Sequence, residues 1–284
     1  MIKKVGIVGF GQMGSGIAQV SAAAGYTVIG ADVSDDTFKR GMGYIGKSLD
    51  KAIEKQKATP ADKEKVLGNI KHANDLIDLA DCDIICEAVV ENPSAKKAVF
   101  KELDSICKQE AIFASNTSSL SIGDMATATR RRDRFLGLHF FNPVPMMKLC
   151  EVVRTIDTSD ATFKSAFTFA ESLGKSCITA QDKPGFVVNV LLVPYLLDAI
   201  RQLERGLASK EDIDTGMQFG CGHPMGPLAL TDFIGLDTIL FIGDIMFEEF
   251  KDPHYAAPPL LRRMVNAGYL GKKTGRGFYD YSAK

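Results

Sequence analysis

A glycine-rich segment near the start of the chain constrains the fold more than any other feature. Residues 5–16 read VGIVGFGQMGSG, which places the pattern G-x-G-x-x-G between an apolar strand and an amphipathic helix. In a dinucleotide-binding fold Gly9 would allow a tight turn, Gly11 would let the backbone approach a pyrophosphate, and Gly14 would let the helix pack on the strand. The segment therefore predicts a Rossmann-type domain, with glycines that serve packing alone as the alternative.

The second predicted strand, residues 26–32, ends in the carboxylate of Asp32. A dinucleotide fold places a ribose-binding acid at this distance, and a carboxylate accepts from a ribose 2′-hydroxyl but repels a 2′-phosphate. We therefore expect NAD rather than NADP, with Gln12 and Met13 in the helical turn that faces the phosphates. An ordinary acid at the end of a strand is the alternative for Asp32.

Composition excludes several classes of function. The chain has 284 residues, 45% of them hydrophobic and 24% charged, as in soluble proteins of two domains. With a net charge of −1, the protein as a whole has no electrostatic field that would attract nucleic acid or a membrane surface. No apolar run reaches the ~20 residues of a membrane span, and Met1 leads directly into the first strand. We therefore expect a cytoplasmic protein that binds neither nucleic acid nor membrane.

The cysteines and histidines do not show metal-binding spacing. Six cysteines are scattered without a C-x-x-C pair, and the four histidines form no ligand pair. We expect reduced thiols, with Cys82 and Cys86 in the core, and no structural metal.

The order of predicted elements divides the chain into an α/β domain, residues 1–183, and a helical domain, residues 184–284. In the first domain apolar strands alternate with helices, which predicts an open, mainly parallel sheet with helices on both faces. Residues 34–67 interrupt this order and predict a projecting pair of helices, the second beginning at Pro60. The later predicted strands lie near residues 84–89, 111–114, 135–138, 151–153 and 176–179.

The long helix predicted from residue 186 to residue 203 is apolar over much of its circumference. Such a helix must be covered by its own domain or by a second subunit. A domain of about 100 residues has little capacity to bury this surface alone. We therefore expect a homodimer or a higher homo-oligomer that forms through the C-terminal helices.

Three segments carry candidate catalytic residues. Residues 115–119, SNTSS, follow a strand and offer hydroxyl and amide groups, and one of these serines could also cap the next helix. His139 ends another strand and Glu151 begins the next, so the carboxylate could orient an imidazole that exchanges protons. Asn189 lies early in the long helix and could reach a binding cleft or simply bond within its own domain.

These motifs together resemble the single-function 3-hydroxyacyl-CoA dehydrogenases over the whole chain. The length and the absence of a fused hydratase resemble the short bacterial 3-hydroxybutyryl-CoA dehydrogenases of butyrate formation. The resemblance rests on the glycine fingerprint together with EAVVEN (87–92), SNTSSL (115–120), HFFNPVPM (139–146), PGFVVN (184–189), HPMGP (223–227) and GKKTGRGFY (271–279).

The resemblance implies roles for individual residues. It implies His139 as the acid/base, Glu151 as its partner, and Ser118 and Asn189 as contacts to the 3-oxygen of an acyl-CoA substrate. It places Lys51 and Lys55 near the CoA nucleotide. The residues implied near NAD are Asp32, Glu91, Lys96, Asn116, Asn142 and Lys273.

Two positions depart from the family pattern. Val190 stands where the family usually has arginine, which puts the positioning of its helix in doubt. Phe10 is bulky where small residues are frequent, although its side chain can point away from the pyrophosphate.

Two rival functions share this architecture. A dehydrogenase of short free β-hydroxy acids would more naturally use a lysine base and would not need a basic helical projection. A non-catalytic NAD-binding relative would not need both His139 and Glu151. For the lysines of that projection, a solvated charged helix face is the plain alternative.

Overall fold

The computed structural model describes residues 2–282. The chain forms two compact units that divide between Lys183 and Pro184. Residues up to Lys183, called unit 1, contain a sheet flanked by helices, and the residues from Pro184, called unit 2, are helical.

Unit 1 is built on one eight-stranded sheet. Its strands are β1 (Lys4–Val8), β2 (Thr27–Ala31), β3 (Ile70–His72), β4 (Ile84–Glu87), β5 (Ile112–Ser115), β6 (Phe135–Phe140), β7 (Leu149–Arg154) and β8 (Ser176–Gln181). Their order is β3-β2-β1-β4-β5-β6-β7-β8. The pairs from β3 to β6 are parallel, β7 runs antiparallel to β6, and β8 runs parallel to β7. The predicted mainly parallel sheet is confirmed.

Helices cover both faces of this sheet. They are α1 (Gln12–Ala23), α2 (Asp35–Glu54), α3 (Pro60–Gly68), α4 (Pro93–Ile106), α5 (Ile122–Ala126) and α6 (Asp160–Ser172). Alternation along β5 shows how both faces are filled. Ile112 and Ala114 join the apolar core that includes Ile17 of α1. Phe113 points the other way, where its ring centroid lies 5.8 Å from that of Phe100 of α4.

The segment predicted as a helical projection forms α2 and α3, but these helices do not stand free of the sheet. One face of α2, with Phe38, Ile45 and Leu49, is buried in the same core as α1. Thr59 caps α3 in a capping box with Asp62, as the Thr-Pro sequence predicts for its start.

Unit 2 contains five α-helices among its described residues. They are α7 (Val188–Glu204), α8 (Lys210–Cys221), α9 (Pro227–Ile234), α10 (Leu236–Phe250) and α11 (Pro259–Asn266). The long helix was expected from residue 186, but it begins at Val188 because Phe186 has a φ of +48° and cannot be helical. Val190, where the family usually has arginine, packs against the apolar core of unit 2.

Two further observations concern the described part of the chain. Within residues 2–282, no helix combines the length and the apolar character needed to cross a lipid bilayer. Cys82 and Cys86 are buried in unit 1, and this burial raises the pKa of each thiol to about 12.

Candidate active site

The turn between β1 and α1 requires two of its three fingerprint glycines for steric reasons. Gly9 has a φ of +89°, and a Cβ there would lie 2.5 Å from the carbonyl oxygen of Ala88. A Cβ on Gly14 would lie 1.7 Å from the carbonyl oxygen of Gly9. A Cβ on Gly11, in contrast, would meet no atom of the described chain within 4 Å. The first and third glycines therefore serve packing, while the second leaves space beside the helix.

The N-terminus of α1 fits an anionic diphosphate. Its N-cap, Gly11, makes no side-chain cap hydrogen bond, and its first turn holds no acidic residue. Among the unit 1 helices described, α2 to α6 are each capped by a side chain of their own N-cap residue. Because first-turn N–H groups and the helix dipole attract anions, the exception at α1 suits the phosphates of a dinucleotide.

Asp32 lies directly after β2, beside the glycine turn. Its Oδ2 accepts from the backbone N–H of Phe10 at 2.5 Å, and its Oδ1 accepts from that of Val33 at 2.6 Å. These bonds hold the carboxylate at the edge where a dinucleotide fold places its ribose-binding acid. Phe10 is fully buried, and Cβ atoms on Gly30 and Gly41 would each come within 2.3 Å of it, so its ring points into the core.

The polar run 115–119 follows β5 at the carboxyl end of the sheet. The side-chain oxygen of Asn116 accepts from the backbone N–H of Phe140 at 2.9 Å, which ties this run to the end of β6. The expectation that one of its serines caps the next helix is wrong, because Ser121 caps α5. The cap lies beyond the run because the chain makes a further turn before α5 begins.

Beside this run, the buried residues Glu87 and Lys96 and the partly buried Glu91 form a charged cluster, which we call the Glu87 triad. Lys96 Nζ lies 2.6 Å from Glu87 Oε1 and 3.2 Å from Glu91 Oε2. Glu91 Oε1 accepts from the hydroxyl of Thr117 and from the backbone N–H of Ser118, the latter at 3.1 Å. The triad therefore connects two residues that the resemblance places near NAD with the proposed oxygen-binding serine.

Glu87 was not singled out as a site residue from the sequence, and Thr117 was included only as a member of the run 115–119. Glu87 ends the apolar strand β4 and is fully buried. A carboxylate in an apolar strand is a signal that could have found it, since buried charges need partners.

His139 and Glu151 meet across the antiparallel pair of β6 and β7. The two residues are direct partners in the register of these strands, so their side chains lie on one face of the sheet. His139 Nδ1 lies 2.6 Å from Glu151 Oε2, and both residues are buried. A carboxylate at one ring nitrogen orients the imidazole and stabilises its charged form. The arrangement can therefore support proton transfer at the end of β6.

Asn142 lies just beyond this strand and connects it to the glycine turn. Its Oδ1 accepts from Nε2 of Gln12 at 3.1 Å. Met13, the neighbour of Gln12, is partly buried and packs against the apolar core of unit 1. The ends of β1, β4, β5 and β6 thus carry one continuous set of polar groups, as expected for the ligand crevice of a doubly wound sheet.

Four further predicted site residues lie on other elements of units 1 and 2. Lys51, in the last turn of α2, and Lys55, at its C-cap, are exposed on unit 1. Asn189 is the second residue of α7 and is half-buried in unit 2. Lys273 of unit 2 lies in a short 3₁₀ turn with its Nζ 2.6 Å from Asp237 Oδ1.

Models of one protein family match almost the whole chain. The model described as "3-hydroxyacyl-CoA dehydrogenase, NAD binding domain" matches residues 4–183. The model described as "3-hydroxyacyl-CoA dehydrogenase, C-terminal domain" matches residues 185–281. The boundary between the two matches lies at the division between units 1 and 2.

Individual relatives also match almost the whole length of the chain. A 3-hydroxybutyryl-CoA dehydrogenase of Mycobacterium tuberculosis is 51% identical over 282 residues, which is 99% of each chain. The mitochondrial hydroxyacyl-coenzyme A dehydrogenase of Homo sapiens is 48% identical over 99% of this chain and 92% of its own. The crystal structure of (S)-3-hydroxybutyryl-CoA dehydrogenase from Ralstonia eutropha has a TM-score of 0.96 and 49% identity, and the match covers 99% of this chain and 100% of that one.

Proposed function

Because the chain belongs to the 3-hydroxyacyl-CoA dehydrogenase family, whose members are NAD-dependent oxidoreductases, we propose that it interconverts 3-hydroxybutyryl-CoA and acetoacetyl-CoA. The observation that carries this proposal is the buried contact of 2.6 Å between His139 Nδ1 and Glu151 Oε2. Relatives that are named for this reaction, and that match along the full length of the chain, support the substrate.

His139 is the proposed general acid and base. Because Glu151 accepts a hydrogen bond from His139 Nδ1, that nitrogen keeps its proton. The other ring nitrogen, Nε2, is the one that exchanges a proton with the substrate's 3-oxygen. Glu151 stabilises the imidazolium that forms when His139 has taken the proton. NAD⁺, when bound, supplies the acceptor for the hydride that leaves C3.

Polar side chains hold the substrate's oxygen in this proposal. Ser118 and Asn189 contact the 3-oxygen and stabilise the charge that develops on it. Cofactor contacts come from the glycine turn with Gln12 and Met13 and from Asp32, Glu91, Lys96, Ser118, Asn116, Asn142 and Lys273. Burial of Lys96 between two carboxylates argues against the lysine base of a free hydroxy-acid dehydrogenase, since its ammonium already has two partners.

We also propose that the protein is at least a homodimer assembled through unit 2. Leu191 of α7 is 71% exposed and Phe219 of α8 is 86% exposed, although both are large apolar side chains. Other large apolar side chains exposed on unit 2 are Leu207, Phe233, Phe241 and Phe247. A second copy of the chain would cover such surface. A monomeric mass by light scattering at micromolar concentration would contradict this proposal.

A steady-state assay tests the reaction. The purified protein should reduce acetoacetyl-CoA with NADH, and kcat/KM should be much lower with NADPH because Asp32 faces the 2′-position. Longer 3-ketoacyl-CoAs, measured in parallel, define the chain-length preference. Reduction of free acetoacetate but not of its CoA thioester would refute the proposal. A cytoplasmic location and a role in butyrate formation or fatty-acid metabolism stay predictions.

A further inference from the structure

Glu87 has no role in the reaction proposed above, yet three hydrogen-bond donors surround its carboxylate. It is the last residue of β4 and is fully buried. Its Oε1 accepts from Lys96 Nζ at 2.6 Å and from the backbone N–H of Val89 at 2.7 Å. Its Oε2 accepts from the hydroxyl of Ser115 at 2.6 Å. An ammonium, a backbone N–H and a hydroxyl thus satisfy both oxygens of this buried carboxylate.

The charges of the Glu87 triad do not cancel. Two carboxylates surround one ammonium, which leaves a net charge of −1. Glu87 is nearer to Lys96 than Glu91 is, at 2.6 Å against 3.2 Å. The side chains of Glu87 and Lys96 are buried, whereas that of Glu91 is 28% exposed. The uncompensated charge therefore lies on Glu91, the member of the triad that a ligand can approach.

We propose that Glu87 is a positioning residue that neutralises Lys96 and so keeps a full negative charge on Glu91, which makes the site favour the oxidised cofactor. This inference rests on the proposed function, because it takes Glu91 as a cofactor contact. Oxidised nicotinamide carries a positive ring charge and the reduced ring carries none, while the diphosphate is the same in both. A negative charge on Glu91 therefore raises the affinity for the oxidised cofactor relative to the reduced one. This electrostatic effect is stronger in a partly desolvated site than in water.

Four proteins separate this role from a purely structural one. In the wild type the triad has a net charge of −1, in Glu87→Gln it has 0, in Lys96→Gln it has −2, and in the double variant it returns to −1. Glutamine retains the shape of Glu87, and the Ser115 hydroxyl can turn to accept from the new amide. The quantity measured is the ratio of the Kd for NAD⁺ to the Kd for NADH, by isothermal titration calorimetry without substrate.

The ratio should follow the net charge. It should rise about threefold or more in Glu87→Gln, fall in Lys96→Gln, and return towards the wild-type value in the double variant. The absolute affinities can fall in the proteins that lack Lys96, since Lys96 is itself a proposed cofactor contact. A purely structural role would weaken both cofactors together and leave the ratio constant.

A matched control is Asp104→Asn. Asp104 is also buried in unit 1, and it pairs with Arg131 at 2.7 Å instead of with the triad. This variant should leave the ratio unchanged. If Glu87→Gln does not fold, Lys96→Gln and the double variant still differ by one charge, and equal ratios in these two proteins would overturn the proposal. A wild-type protein that bound neither cofactor would instead refute the proposed function.

Discussion

Three α-helices of the described chain begin after a glycine N-cap, and two of them, α1 of unit 1 and α9 of unit 2, differ in the groups that lie around their first N–H groups. At α9 of unit 2 the N-cap is Gly226, and Asp214 of α8 accepts from the backbone N–H groups of Leu228 and Ala229 at 2.8 and 2.9 Å. At α1 of unit 1 the N-cap is Gly11, which makes no side-chain cap hydrogen bond, and the first turn holds no acidic residue.

The two glycines explain the difference. A Cβ on Gly226 would lie 2.3 Å from the side chain of Asp214, so this glycine admits a carboxylate of the protein itself. A Cβ on Gly11 would meet nothing within 4 Å. The same backbone feature therefore serves folding in unit 2, where the anion belongs to the chain. In unit 1 we propose that it serves binding, with the diphosphate of the cofactor as the anion.

The largest expected effect concerns catalysis in unit 1, the unit in which the glycine N-cap is proposed to serve cofactor binding. His139→Gln should lower kcat by ~10²–10⁴, the usual contribution of a positioned general acid/base, and leave cofactor affinity nearly intact. Reduction of acetoacetyl-CoA, followed by the absorbance of NADH, measures kcat, and titration of NADH measures its Kd. Glu151→Gln should also lose rate, because the imidazolium then lacks its charged partner. Near-normal turnover of the His139 variant would remove His139 from the mechanism.

The second prediction gives α1 the carboxylate that α9 already has. Gly11→Asp should fit, since its backbone is extended with a φ of −68° and a Cβ there meets no neighbour. An N-cap aspartate should stabilise the free protein by a few tenths of a kcal/mol. It should also weaken NADH binding by about tenfold or more, because a fixed negative charge then repels the diphosphate.

The matched control is Gly11→Asn, which has nearly the same shape and caps a helix without charge. Affinity for NADH should fall less in this protein than in Gly11→Asp. Equal affinities in the two variants would show that the N-terminus of α1 does not face the phosphates.

The third prediction concerns Asp214, which accepts from the first N–H groups of α9 in unit 2. Asp214→Asn replaces one acceptor oxygen by an amide and leaves a buried N–H of α9 without a partner. The free energy of unfolding should fall by about 1–3 kcal/mol, measured by chemical denaturation. The kcat of the folded variant should stay close to that of the wild type. A large loss of kcat with unchanged stability would mean that Asp214 belongs to the active site.

The sequence was sufficient for features that depend on local patterns. The glycine turn, the acid after β2 and the predicted sheet follow from short motifs and from apolar strands at the expected intervals. Strand β3 was missed because its three residues are too few for a periodic pattern. The start of α7 was misplaced because a positive φ at Phe186 has no signal in a residue other than glycine or asparagine.

The candidate site was less predictable where it depends on register. Spacing alone left open whether His139 and Glu151 meet, because eleven residues separate them and the turn between their strands fixes the pairing. Glu87 was missed because its partners come from α4 and from the end of β5, which only the folded sheet brings together. Local patterns located the edge of the sheet, and tertiary pairing determined which charges meet there.

The smallest expected effect concerns the exposed lysines of α2, which belong to neither of the two helix N-termini compared above. Lys47, Lys51 and Lys55 recur at four-residue spacing on α2 and are exposed. None of the ion pairs found within residues 2–282 involves them. Lys51 also lies in the last turn of α2, where a cation stabilises the helix dipole, so a structural role is the alternative.

Lys51→Ala combined with Lys55→Ala should raise KM for acetoacetyl-CoA by about two- to tenfold at low ionic strength and leave KM for NADH unchanged. The difference should shrink at ~0.15 M salt, because screening weakens exposed charge pairs beyond about 8 Å. Lys101→Ala combined with Lys164→Ala is the matched control, since both lysines are exposed on other helices of unit 1 and the change in net charge is the same. If both double variants change KM equally, the effect comes from the total charge of the protein. If neither changes KM while the α2 variant loses stability, the two lysines support the helix and the nucleotide of CoA binds elsewhere.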